Sequence, residues 1–278
     1  MRLGATNMRG FDDPEAWIQA MRQHGYRAAS FPLDLFADEE LIRSYTRLAA
    51  KHDIVIAEVG GWGNVLADSE RGSRVESIAR AKRALQVAEM IGANCAVNIA
   101  GSRGANWDGP DAKNLTAETY EMIVETVRQI IDEVKPRRAF YCLEPMPWAY
   151  PCDEATQAAL LRDIDRTAFG VHFDPVNIIY SPQTYFNNGA TIESFVRRFG
   201  ALIKSVHAKD TRLSSDLTMH FSECRPGDGA LDYERLLREL ERVSPDMPLI
   251  VEHLNDDADF DFGMRHIRRV AAAANIAV

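Results

Sequence analysis

The sequence predicts an α/β fold: a closed (β/α)₈ barrel of parallel strands with outer helices. Three observations predict it. Short apolar strands alternate with amphipathic helices from end to end in eight strand–helix units. The 278 residues match the usual size of one such barrel. The longest irregular stretches (Gly60–Ser69, Gly101–Lys113, Pro145–Cys152, Pro175–Gly189 and Thr211–Gly229) all follow a strand, and the opposite connections are short. An open doubly wound sheet is the competing arrangement. It would normally carry a glycine-rich phosphate turn after the first strand, and GATNMRGFDD matches that pattern poorly.

In chain order, Leu3–Thr6 reads as a strand, followed by a helix over Pro14–Arg22. Ala28–Phe31 precedes a helix over Ala37–Lys51, whose first turn is charged by Asp38, Glu39 and Glu40 as a helix N-terminus favours. Ile54–Val59 precedes the long helix Glu70–Ile91, with Val75, Ile78, Leu85 and Ala88 on one stripe. Cys95–Ala100 precedes Ala117–Val134, the clearest helix, where Tyr120, Ile123, Val124, Val127, Ile130, Ile131 and Val134 keep helical spacing behind the N-cap candidate Thr116. The last four strands are Ala139–Glu144, Phe169–Asp174, Ile203–His207 and Leu249–Glu252. Helices near Asp153–Arg166, Ile192–Gly200 and Asp232–Val243 separate them, and Asp259–Asn275 closes the chain. With no repeats, low-complexity segments or linkers, residues 1–278 are expected to form one domain.

Each of those four strands ends on a residue able to ligate a metal: Glu144, Asp174, His207 and Glu252. A barrel of parallel strands brings such ends together on one face. Two Glu, one Asp and one His make an oxygen/nitrogen shell suited to Mn²⁺, Mg²⁺, Co²⁺ or Zn²⁺, with Mn²⁺ the first expectation. Each carboxylate alone is equally readable as a surface group past a strand end; all four coinciding is the signal. Period-2 alternation puts His172 on the face of Asp174, either near the metal or as a core histidine, and Lys209 on the face of His207. His253 should point the other way, toward the helices.

A net charge of −9 argues against a nucleic-acid partner, and no apolar run approaches the ~20 residues of a membrane span. Cys95, Cys142, Cys152 and Cys224 form no CxxC pair and no disulfide-like spacing. The first residues enter a strand without a basic-then-apolar segment, so a cytoplasmic location is expected.

The segments LEP (143–145), HFDPVN (172–177), SVHAKD (205–210), PGDGALDY (226–233) and VEHL (251–254) resemble the xylose-isomerase-like TIM-barrel superfamily. That superfamily includes keto-sugar 3-epimerases, hydroxypyruvate isomerases, inosose dehydratases and endonuclease IV. In its isomerase/epimerase branch, a Glu, an Asp, a His and a Glu hold one divalent metal; on this chain they correspond to Glu144, Asp174, His207 and Glu252. The resemblance implies a small carbohydrate-like substrate and a homodimer or homotetramer. It also implies a Glu144/Glu252 pair exchanging a proton through an enediolate, with PGDG closing over substrate. Arg212 and Arg225 are candidates for a substrate hydroxyl or carboxylate, or for solvated loop charges.

Two departures bear on substrate. Where 3-epimerases typically carry a polar EPNRxE-like stretch, this chain has EPMPWAYP, making Trp148 a candidate pocket wall or core filler. Where they often carry His, this chain has Asn177, which hydrogen-bonds but carries no proton near neutral pH. Glu58 and Trp62 fall at the rim of the third strand as candidate substrate contacts, Glu58 equally as a loop carboxylate. These departures keep a lyase (decarboxylase, dehydratase, or an enzyme cleaving a C–C or C-glycosidic bond of an oxo-sugar) beside the isomerase. An endonuclease IV type would need further histidines on the second and third strands, which AASF and IVIAEV lack. A non-enzymatic barrel would not need the four-ligand set.

Overall fold

The computed structural model describes residues 1–67 and 73–278. Among these, β1 (Arg2–Ala5), β2 (Ala28–Ser30), β3 (Val55–Gly60), β4 (Cys95–Asn98), β5 (Phe140–Leu143), β6 (Phe169–Phe173) and β7 (Ile203–Ala208) pair in sequence order, all parallel. Two strands, β8 (Asp210–Leu213) and β9 (Phe221–Cys224), then form a separate antiparallel hairpin. Finally β10 (Pro248–Val251) inserts between β7 and β1 and closes an eight-stranded parallel barrel. The eight barrel strands are short, almost wholly buried and rich in aliphatic residues, as expected where helices cover the outside. Gly4 marks one tight approach: a Cβ there would lie 1.9 Å from the Ala28 carbonyl oxygen.

The helices are α1 (Pro14–Gln23), α2 (Glu39–Lys51), α3 (Ser73–Ile91), α4 (Ala117–Val134), α5 (Glu154–Ile164), α6 (Pro182–Phe186), α7 (Asn188–Phe199), α8 (Tyr233–Val243) and α9 (Asp257–Ala273). Asp13, Asp38, Thr116, Asp153, Asp232 and Asp256 each accept a backbone N–H in the first turn that follows, at about 1 kcal/mol per cap. Helix α4 occupies the span its spacing predicts, behind its Thr116 cap.

Three expectations about the chain's course are corrected. Val75 is 69% exposed rather than buried; the buried face of α3 starts at Ile78 and continues through Ala81, Ala84, Leu85 and Ala88. The expected start of that helix at Glu70 lies outside the described residues. The stretch Pro175–Gly189 is not irregular: it holds a 3₁₀ turn at Val176–Ile178 and α6, a five-residue helix with nothing buried that is set by the Ser181 cap and Pro182. Thr211–Gly229 likewise contains most of the β8–β9 hairpin, whose mixed polar sequence lacks strand alternation.

Candidate metal centre

The barrel geometry brings the four strand ends together. Glu144, Asp174 and Glu252 directly follow β5, β6 and β10, and His207 is the penultimate residue of β7. All four are buried, and one ligand atom from each lies within 4.8 Å of the others. The His207 Nδ1 atom lies 3.0 Å from Glu252 Oε2 and 3.5 Å from Glu144 Oε1, yet makes no hydrogen bond among the described residues. Buried polar atoms are nearly always satisfied, so an orphaned imidazole nitrogen facing carboxylate oxygens is a donor set that fits a divalent cation.

Each ligand is held by a neighbour. Asp174 Oδ1 accepts the backbone N–H groups of Val176 (2.9 Å) and Asn177 (3.3 Å) in the turn after β6, which directs Oδ2 toward the Lys209 ammonium at 2.7 Å. Asn177 Nδ2 donates to Glu144 Oε1 at 3.0 Å. Lys209 Nζ donates to Glu252 Oε1 at 2.9 Å.

Beneath the ligands lies a feature the sequence did not reveal. Glu58 is not at a loop rim; it sits within β3, 2% exposed, inside the barrel. Its Oε1 accepts from Ser30 Oγ (2.6 Å) and lies 3.0 Å from His207 Nε2; its Oε2 accepts from Ser205 Oγ (2.6 Å) and lies 3.3 Å from His172 Nε2. Register shifts after Ala29 and Val171 bring Ser30 opposite Glu58 and His172 opposite Ser205. His172 is therefore a buried member of this inner layer, edge-on to His207 with ring centroids 4.1 Å apart. Glu58, His172 and His207 also have the spacing of a metal-binding group. Both Glu58 oxygens are already filled by serine hydroxyls, so hydrogen bonding accounts for that layer.

The charges set one another. Burial works against ionisation of Glu58, but His207 and His172 hold its carboxyl well below the ordinary range. Burial likewise opposes a charge on His207, and Glu252, Glu58 and Glu144 outweigh it, pushing the imidazole well up. Burial pushes Asp174 up to about 7, opposed by Lys209 and helped by Glu144 and Glu252. For Glu252, burial is outweighed by His207 and Lys209, and the carboxyl lies below its usual range.

Two cavities open above the cluster and share Trp62 and His253. The smaller, about 250 Å³, is lined by Thr6, Arg9, Ser30, Glu58, His207 and Glu252. The larger, about 410 Å³, is lined by Ile99, Trp107, Glu144, Met146, Asn177, Lys209 and Glu223. Of the residues expected to contact substrate, Glu58, Trp62, Asn177 and Lys209 line these cavities. The other four, His172 of the inner layer, Trp148, Arg212 and Arg225, line neither. Trp148 is half-buried in the loop turned by the Met146–Ala149 bridge and lines neither cavity. Arg212 donates to the Asp228 carbonyl, and Arg225 pairs with Asp228 and Asp259 while stacking on Phe262. The PGDG turn is tied to Asp210, which accepts the Gly227 and Leu231 N–H groups.

His253 corrects the sequence reading. Its φ of +56° breaks strand alternation, so the ring lines both cavities, with Nδ1 3.0 Å from Glu223 Oε1. The Glu223 hydrogen bond raises its pKa, against burial. A non-glycine residue in the left-handed region is uncommon and turns up at functional sites. Arg9, Trp107 and Glu223 also line the cavities and were not among the residues expected there. Trp107 had a signal, an aromatic in a long loop after β4, but the same reasoning chose Trp148.

A closed parallel barrel with outer helices is a TIM barrel, and its buried Glu/Asp/His/Glu cluster is a candidate metal site at the strand ends where such barrels build their active sites. The family model described as "Xylose isomerase-like TIM barrel" matches residues 18–270, and the chain belongs to that family. No curated protein matches the sequence. Among solved structures, a xylose isomerase-like TIM-barrel protein from Mycobacterium smegmatis in complex with magnesium aligns over 98% of this chain and 97% of its own, with TM-score 0.70 and 16% identity. A D-psicose 3-epimerase solved in the presence of D-fructose covers 100% of both chains, with TM-score 0.71 and 14% identity. The probable 3-DHS dehydratase AsbF of Bacillus anthracis covers 98% and 99%, with TM-score 0.71 and 13% identity. At these identities the likeness is one of fold. No described helix is long and apolar enough to cross a membrane.

Proposed function

We propose that this chain is a divalent-metal-dependent isomerase or epimerase of a keto-sugar or related polyol derivative. The observation that carries the reading is the buried four-residue cluster with its unsatisfied His207 Nδ1, opening directly into two cavities, one walled by hydroxyls and charges and one partly by aromatic and apolar side chains. The family membership and the epimerase neighbour are consistent with it.

Glu144, Asp174, His207 and Glu252 would hold the cation, which when bound polarises a carbonyl and acidifies the neighbouring C–H. Glu252 and Glu144 face different cavities, so they would approach a substrate carbon from different sides. One carboxylate takes the proton from that carbon, leaving an enediolate; the other returns a proton to it, inverting the centre. Asn177, donating to Glu144 Oε1, fixes that carboxylate's orientation. Lys209 neutralises Asp174 and Glu252 and lines the larger cavity, within reach of a substrate oxygen.

A lyase on the same residues is the second reading, favoured by Asn177, which is not a proton carrier, and by the apolar Met146 and Trp107 wall. The two separate when Mn²⁺-loaded protein is incubated with candidate ketoses in D₂O and followed by NMR. Deuterium entering next to the carbonyl with the carbon skeleton retained supports the isomerase, whereas release of water or CO₂ replaces it with the lyase. If activity is unchanged after chelation with EDTA, both readings fail.

A further inference from the structure

Resting on the sugar chemistry proposed above, we infer that the substrate has two parts: a polyhydroxylated ring in the smaller cavity and a flat, largely apolar substituent in the larger one, as in an oxo-sugar glycoside with an aromatic aglycone. The two cavities differ in chemistry. The smaller presents hydroxyls and charges, Thr6, Arg9 and Ser30 over the floor of Glu58, His207 and Glu252, with the Trp62 and His253 rings at the wall it shares with the larger. The larger is faced by Trp62, Ile99, Trp107 and Met146, with polar groups between them. The smaller, at about 250 Å³, falls below the roughly 300–1,000 Å³ usual for small-molecule sites, and the two together fall within it.

The cluster sits at the junction: His207 and Glu252 face the small cavity, and Glu144 faces the large one. A molecule centred on these ligands therefore extends both ways. The aromatic wall is positioned for stacking. The Trp62 indole lies over Gly60, where a Cβ would stand 2.3 Å from its Nε1, so only glycine at that strand end lets the ring fold onto it. Trp107 lines the larger cavity with 39% of its surface exposed, so its ring is open to a ligand there. A small ketose would leave this wall uncovered.

The test uses the Mn²⁺-loaded protein with two non-reacting probes, methyl β-D-glucopyranoside and phenyl β-D-glucopyranoside, with affinity read by tryptophan fluorescence and calorimetry. Phenyl glucoside is expected to bind about tenfold more tightly than methyl glucoside, the scale of one stacked ring plus its buried area. Trp107→Ala should erase that preference while Mn²⁺ affinity and Tm stay unchanged. Equal affinities, or a preference that survives in Trp107→Ala, overturn the two-part substrate while leaving the sugar reading intact. The metal-dependent sugar reading itself fails separately, if a ketose such as D-fructose binds no better with Mn²⁺ than with EDTA.

Discussion

The two ends of the barrel carry cavities of opposite character. At the end where the strands begin, a cavity of about 630 Å³ is lined by Arg2, Asn94, Arg138, Lys204 and Asp246, among others. It is larger than either cavity above the cluster, yet its charges are already engaged. Arg2 pairs at 2.9 Å with both Asp53 and Asp246, whose side chains are 64% and 66% exposed, and the Lys204 ammonium lies 3.9 Å from the centre of the Phe140 ring. At the other end, four acidic side chains, two histidines and a lysine lie almost wholly out of water around an unsatisfied His207 Nδ1. Burying charge costs several kcal/mol per ion unless it is paired, so a fold retains it where it is used. Buried charge locates the site, and cavity size does not.

The contrast breaks most severely if the buried carboxylates prove dispensable. Glu144→Gln and Glu252→Gln are each expected to lower kcat by about 10²–10⁴, the range for removing a positioned proton-transfer group. Near-normal turnover in both, measured with saturating Mn²⁺, would remove them from the chemistry. A smaller effect is expected one layer down. Glu58→Gln retains one acceptor but opposes an amide N–H to donors now served by a carboxylate, so His207 loses its anchor. Mn²⁺ affinity by calorimetry should fall about 10–100-fold, as for other partners behind metal-binding histidines. An unchanged affinity would make that layer a packing feature.

What the sequence made legible follows the same contrast. In strands that are otherwise aliphatic, a terminal Glu, Asp or His stands out, so Glu144, Asp174, His207 and Glu252 could be picked out singly and joined by the barrel's symmetry. Helix α4 was legible to the residue because its stripe and its Thr116 cap agree. Glu58 was not, because its partners come from β2, β6 and β7 and meet it only through two register shifts that no local pattern announces. His253 was misread because alternation assumes extended backbone, and its φ is +56°. Trp148 and Trp107 carry equal local signals. Only the course of their loops separates them.

Proton linkage gives an intermediate effect. The cation requires His207 with a bare Nδ1 and Asp174 ionised. In the metal-free protein Glu252, Glu58 and Glu144 push the His207 imidazole up against burial, and burial holds Asp174 at about 7. Loading therefore expels protons, and Mn²⁺ affinity must weaken as pH falls from 8 to 6, by up to about tenfold per proton released per pH unit. Titrations in buffers of different ionisation enthalpy count those protons. Affinity independent of pH would mean that neither group is protonated in the metal-free cluster.

The smallest effect is expected at the opposite end, and it sharpens the comparison because it should be nearly silent. Arg2→Ala removes two pairs whose acidic partners are mostly in water, so the thermal unfolding midpoint should scarcely move. Asp53 sits below the ordinary carboxylate range because Arg27 and Arg2 hydrogen-bond to it. Its folded pKa is depressed, so the stability it adds is present at neutral pH and is lost only as pH falls through that lowered value. The difference between wild type and Arg2→Ala should accordingly shrink below about pH 4, where an unfolded-state Asp takes up its proton. Mn²⁺ affinity and turnover should match the wild type throughout. A tenfold loss of metal affinity in Arg2→Ala would show that the two ends of the barrel are coupled through the strands, and the large lower cavity would then have to be reconsidered as part of the working site.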